Sequence, residues 1–155
     1  MNLGFYIIMA AQFFSALADN ALLIAAISML RDIHSPAQYE PLLKLFFTVS
    51  YVALAAFVGA FADSMAKGRV MLISNTIKIA GCFMMLVATV PVLDLLGIPI
   101  YYYVLLSYAI VGLGAAAYSP AKYGILTEYL PHDKLVIANG WIEGLTVAAI
   151  ILGTV

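Results

Sequence analysis

Within the stretch SALADNALLI, which begins at Ser15, a carboxylate and an amide, Asp19 and Asn20, stand side by side. The run from Leu3 to Leu30 holds no other charge. An ionisable residue at mid-membrane costs roughly 2.5–3.5 kcal/mol on insertion scales, so it is kept where it faces a polar interior and usually works there. Gln12 and Ser15 join Asp19 at helical spacing and extend a polar stripe along one face. A second stripe runs through Asn75, Lys78, Cys82 and Thr89, and a third through Asn139, Glu143 and Thr146. Lys78 and Glu143 fall about 12–14 Å in from one end of their helices, close to the midplane of a core about 30 Å thick. Charges of both signs at one depth suit two kinds of chemistry. They can line a solvated polar cavity of a transporter, or Asp19 with Asn20 can hold a proton or a hard cation such as sodium. A third reading is that the charges only pair with one another and hold helices together. No nucleophile constellation, phosphate-cradling glycine loop or metal-ligand spacing is present, so the expectation is a non-enzymatic protein without cofactor or metal centre.

These stripes need helices to carry them, and the composition supplies them. Of 155 residues, 65% are apolar and 10% are charged, whereas soluble domains carry about 25% charged residues. A spanning helix needs about 20 apolar residues, and five segments qualify, roughly 4–30, 42–62, 70–93, 101–129 and 135–155. The reading is an all-α polytopic membrane protein. Its breaks are RDIHSPAQYEP, DSMAKGR, PVLDLLGIP and LPHDK. Seven scattered Lys and Arg with a net charge of −1 give no nucleic-acid footprint, and the single Cys82 excludes an internal disulfide. The first residues lack a basic leader region, so no cleaved signal is expected. The fifth segment reaches Val155 without cap or charge, as expected of the N-terminal piece of a larger bundle. Lys67, Arg69, Lys122 and Lys134 lie in or beside the second and fourth loops, against Arg31 and Lys44 at the others, which puts the N-terminus in the cytoplasm. Small residues in 112–117 suit close helix packing, and tyrosines 101–103 suit an interfacial belt. His34 and His132 lie in loops.

The loop GAFADSMAKGR (59–69) resembles the signature between the second and third helices of the major facilitator superfamily. Gly59 and Asp63 match its first two positions; Ala66 replaces the second glycine, and the basic pair is spread as Lys67 and Arg69 around Gly68. Asp63 there can meet basic residues and a helix N-terminus, contacts able to hold a gate shut. A loop that only sets topology is the competing reading for Lys67 and Arg69. AQFFSALADNALL (11–23), FADSMAKGRVM (61–71), GLGAAAYSPAKYGILTE (112–128) and KLVIANGWIEGLTVAAIILG (134–153) together look like the bacterial lysophospholipid transporter family. SPAKYG with ANGWIE is more specific than the superfamily loop.

The resemblance implies a carrier of about twelve helices in two six-helix halves, of which these would be the first five. It implies movement of lysophospholipids, chiefly lysophosphatidylethanolamine, from the outer to the inner leaflet of the bacterial inner membrane for re-acylation. An acyltransferase/acyl-carrier-protein synthetase is the implied partner, fused in some members of this branch. On that footing Asp19, with Glu143, would receive the ammonium, Lys122 or Lys78 the phosphate, and Asn20 and Asn139 would add hydrogen bonds. Opposite charges across a low-dielectric cavity suit a zwitterion. Pro120 removes a backbone donor and crowds the carbonyl of Ala116, and Gly124 weakens the next turn, so a bend carrying Lys122 is expected there as the inner gate opens. The alternatives are an efflux carrier for an amphipathic drug or metabolite, and a membrane scaffold that docks an acyltransferase.

Overall fold

A computed structural model describes residues 2–155, and every regular element among them is helical. The long helices are α1 (Leu3–Asp32), α2 (Tyr39–Asp63), α3 (Lys67–Val87), α5 (Ile100–Tyr129) and α6 (His132–Gly153), with a single turn, α4 (Val92–Leu95), between α3 and α5. All five long helices are long and apolar enough to cross a membrane.

Several boundaries differ from the sequence reading, α3 and α6 starting at Lys67 and at His132 (read as a loop residue) rather than near 70 and 135, and two others have a clear local reason. The second helix starts at Tyr39 rather than near 42, which brings Glu40 into its first turn. Arg31, in the last turn of α1, donates two hydrogen bonds to the Glu40 carboxylate at 2.9 and 3.2 Å and clamps the connection. The third helix ends at Val87 rather than near 93. Pro91 disfavours helical backbone in the residue before it, and the chain turns through hydrogen bonds from Thr89 and Val90 to Leu86 and Val87 before α4.

The α1 ends are capped at both termini. Asn2 accepts the Phe5 N–H through Oδ1 at 3.2 Å, as an N-cap amide should. At the other end His34 adopts φ 53°, and the Ser35 and His34 N–H groups return to the carbonyls of Leu30 and Arg31. That pair of bonds is a Schellman closure with histidine in the left-handed position usually given to glycine.

The most buried helix is α5, packed chiefly against α3 and α2, while α1 packs chiefly against α6. Small residues permit the close approach, because a membrane interior offers little hydrophobic drive between helices and favours backbone contact instead. A Cβ at Gly112 would lie 3.0 Å from the Phe47 carbonyl of α2, and one at Gly114 would lie 2.7 Å from the Ser74 carbonyl of α3. On α6, a Cβ at Gly153 would meet the Leu17 carbonyl of α1 at 2.9 Å. One apolar cluster, with Leu30, Leu43, Val104 and Leu105, ties α1, α2 and α5 together at the end of the bundle near the α1–α2 connection. A second, with Phe5, Met9, Leu126 and Ile142, ties α1, α5 and α6 at the opposite end. Between those two clusters lies the polar layer.

Candidate functional site: a polar cavity between the helices

At the level left open by the apolar clusters, α1, α2, α3, α5 and α6 surround a cavity of about 420 Å³. Its wall carries an ion pair: Lys78 Nζ of α3 lies 2.8 Å from Asp19 Oδ2 of α1. The two side chains are 9% and 27% exposed, so both are largely withdrawn from the surroundings. Lys78 reaches there because Gly114 opposite has no side chain; a Cβ at that position would stand 2.6 Å from Lys78 Cγ.

The ammonium of Lys78 has a second partner, donating to Ser15 Oγ at 2.7 Å. Ser15 in turn donates to Asn75 Oδ1 at 3.4 Å. The face of Tyr118 lies 5.2 Å from Lys78 Nζ, within cation–π range. Carboxylate, ammonium and aromatic ring thus follow one another along one wall. A lower-dielectric surrounding strengthens such an array and makes any unpaired member costly.

Lys122 lines the same cavity from α5. Its ammonium sits 4.8 Å from the Tyr123 ring centroid, and among the described residues no carboxylate stands within salt-bridge distance of it. Asn20 also lines the cavity, but its amide donates back to the Ala16 carbonyl at 3.1 Å. These four residues, Asp19, Asn20, Lys78 and Lys122, are the sequence candidates that the fold brings together.

Glu143 and Asn139 are not brought to them. Both are exposed, and neither is among the residues that line the cavity. Glu143 accepts a hydrogen bond from the Tyr123 hydroxyl instead. Within this bundle Glu143 thus stands beside Tyr123, and the cavity lining that holds Asp19 does not include it. Of the third stripe only Thr146 reaches the cavity, bonded to Gln12. At the pair read as a proton or sodium site, the Lys78 ammonium lies against Asp19 Oδ2 and the Asn20 Nδ2 donates to its own helix.

The gate candidates lie at the α2–α3 connection and the far end of α5. Lys67 bonds Asp63 at 3.0 Å and the Ala62 carbonyl at 3.1 Å, closing the loop on itself. Its stem crosses α5 at Gly124, where a Cβ would stand 3.0 Å from Lys67 Cε. Arg69 and Gly59 are exposed, and a Cβ at Gly59 would meet nothing within 4 Å. Pro120 lies inside α5, which continues through it as helix from Ile100 to Tyr129.

The fold adds cavity residues that polar stripes did not indicate. Tyr108 and Tyr118 of α5, with Phe47, Thr48 and Lys44 of α2, complete the wall. Aromatic residues in an apolar run read as filler, and Lys44 reads as a helix-edge charge. The one available signal for Tyr118 was its place directly before SPAKYG. Gln12 stood in the first stripe without being singled out, although it is 4% exposed.

The chain matches the family model described as Major Facilitator Superfamily over residues 8–155. Among curated proteins it is 44% identical, over all of its 155 residues, to the lysophospholipid transporter LplT of Yersinia enterocolitica, covering 35% of that protein. It is 44% identical over 151 residues to the protein of that name from Klebsiella pneumoniae, covering 97% of this chain and 35% of the relative. The Pectobacterium carotovorum protein of that name is 45% identical over 148 residues, which are 96% of this chain and 33% of the relative. The chain thus spans about a third of the length of the curated relatives it matches. No solved structure matches it at a significant level.

Proposed function

Because this chain belongs to the Major Facilitator Superfamily, we propose that it forms the N-terminal portion of a carrier that moves lysophospholipids across the bacterial inner membrane. The carried lipid is chiefly lysophosphatidylethanolamine, taken from the outer to the inner leaflet, where an acyltransferase restores the missing chain. The N-terminus and the α2–α3 connection face the cytoplasm. The names of the relatives support the substrate class.

One observation carries the proposal: a carboxylate and two ammonium groups, Asp19, Lys78 and Lys122, line one intramembrane cavity. A lysophosphatidylethanolamine headgroup bears one ammonium and one phosphate. Asp19 receives the ammonium, and Lys78, released from Asp19 by that exchange, receives the phosphate. Lys122 is the further cation available to the phosphate on the cytoplasmic side. Each charge trades one partner for another, so no bare charge crosses the low-dielectric region and the penalty of an unpaired buried ion is avoided. The acyl tail stays on apolar surface. A smaller groove of about 350 Å³ borders the same ion pair between α1 and α3, lined by Phe14, Ala18, Leu22 and Cys82.

In this scheme the Lys67–Asp63 clasp belongs to the cytoplasmic gate with Gly59 and Arg69, and Pro120 and Gly124 mark where α5 yields. The test is uptake of labelled lysophosphatidylethanolamine by spheroplasts that lack their own transporter and express the full-length protein. Uptake above the empty-vector level is expected. Absence of uptake, with increased drug sensitivity on deletion, would replace this reading with efflux.

A further inference from the structure

Two buried polar atoms in the wall of the cavity lack a well-formed partner. Among the described residues the Gln12 carbonyl Oε1 and the Tyr118 hydroxyl make no well-formed hydrogen bond, Ser15 standing near the hydroxyl, and the two residues are only 4% and 5% exposed. Burying such a group unpaired costs about 1–3 kcal/mol, and native structures leave few of them without a reason. Both residues line the cavity that holds Asp19 and Lys78.

The two orphans are complementary in kind. Thr146 gives its only hydroxyl proton to the Ile142 carbonyl at 2.8 Å, so toward Gln12 it acts as the acceptor. The Gln12 amide therefore donates to Thr146 through Nε2, at 3.4 Å, and its carbonyl is left as a free acceptor. Tyr118 offers the opposite, an O–H whose neighbouring Ser15 hydroxyl already accepts from Lys78. A ligand group that satisfies both must donate once and accept once. An alcohol hydroxyl does this, whereas an ester oxygen accepts only and would leave Gln12 unsatisfied.

The position along the wall narrows the choice further. Asp19 is 2.8 Å from Lys78 Nζ, and that ammonium is 5.2 Å from the Tyr118 ring centroid. Gln12 lies seven residues before Asp19, about 10 Å along α1. The order carboxylate, ammonium, hydroxyl-seeking pair repeats the order ammonium, phosphate, glycerol hydroxyl in an extended lysophospholipid headgroup.

We propose that Gln12 and Tyr118 form a subsite for the free glycerol hydroxyl of the carried lipid and so select single-chain over double-chain phospholipids. This rests on the lysophospholipid reading above. A diacyl lipid replaces that hydroxyl by an ester, losing the donor and adding bulk at the same point. Gln12 and Tyr118 are thus specificity residues, distinct in task from the charged residues beside them.

The experiment uses the full-length protein in proteoliposomes and two labelled lipids, lysophosphatidylethanolamine and its analogue with hydrogen in place of the glycerol hydroxyl. The native protein is expected to favour the hydroxyl-bearing lipid by about tenfold, the factor one well-placed hydrogen bond supplies. Tyr118→Phe and Gln12→Met are each expected to bring the ratio toward one. Because both lipids are compared within one preparation, a lower yield of folded variant cancels. Equal uptake of the two lipids by the native protein would overturn the subsite while leaving the transport reading standing; it would mean that water satisfies Gln12 and Tyr118. An undiminished ratio in both variants would likewise overturn it. Failure of the native protein to take up either lipid would sink the transport reading and the subsite together.

Discussion

At the residue scale the account turns on Lys78 as the resting counter-ion of Asp19. With the pair 2.8 Å apart and Lys78 nearly enclosed, removing the ammonium strands a carboxylate that has no other cation within salt-bridge distance among the described residues. Breaking a buried pair costs about 3–5 kcal/mol; because Asp19 keeps 27% of its side chain exposed to a polar cavity, Lys78→Met is expected to cost on the order of 2–3 kcal/mol. The paired change Asp19→Asn with Lys78→Met removes both charges and should recover most of that stability without recovering transport. Thermal unfolding of the full-length protein in detergent, beside uptake, separates the two effects. A single Lys78→Met variant as stable as the native protein would show that the pair carries little. Sequence alone identified Asp19 and Lys78 as mid-membrane charges on helical stripes and offered pairing among the charges as one reading, but not which two of them touch. That contact depends on the rotation of α3 against α1 and on the hollow at Gly114, neither of which a single helix encodes. Glu143 shows the converse. It has the spacing of an inward residue with Asn139 and Thr146, yet the α6 stripe is split, with only its last member turned to the cavity.

At the element scale, α5 is the post against which α2 and α3 lean, and its glycines set the separation. A methyl at Gly114 would fall 2.7 Å from the Ser74 carbonyl, which belongs to backbone and cannot rotate away. Gly114→Ala should therefore push α3 outward and shift Lys78 off Asp19, at a cost of about 1–3 kcal/mol, as overpacking does elsewhere. Gly68→Ala, where nothing lies within 4 Å, is the control and should barely move the unfolding temperature. If both variants unfold alike, the close approach at Gly114 is not what sets the spacing. The helices themselves were legible because apolar runs of this length have few other solutions. Their ends were less so. The sequence placed the third span to 93, but Pro91 stops the helix earlier, and the Arg31–Glu40 clamp starts α2 before its apolar run begins.

At the scale of the whole molecule, five helices enclose a polar layer yet leave large apolar side chains on their outer faces, among them Phe57, Leu72, Val136 and Trp141. Lipid or further helices suit such faces, and the curated relatives the chain matches are about three times its length. Orientation follows from the proposal and is open to a direct check. With Cys82 replaced by serine, a cysteine at Ser64 should react with an impermeant thiol reagent only from the cytoplasmic side, and one at Ala37 only from the outside. Labelling from the reverse sides would invert the topology and with it the direction of the gate.

The most direct test of the central claim is lysophosphatidylethanolamine uptake by spheroplasts carrying the full-length protein, native or Asp19→Asn, at matched membrane abundance. The exchange of Lys78 for a headgroup ammonium at Asp19 predicts robust uptake with the native protein and loss of at least about tenfold with the variant, the equivalent of one charge-assisted contact. Equal uptake by both would contradict it and remove Asp19 from the transport step.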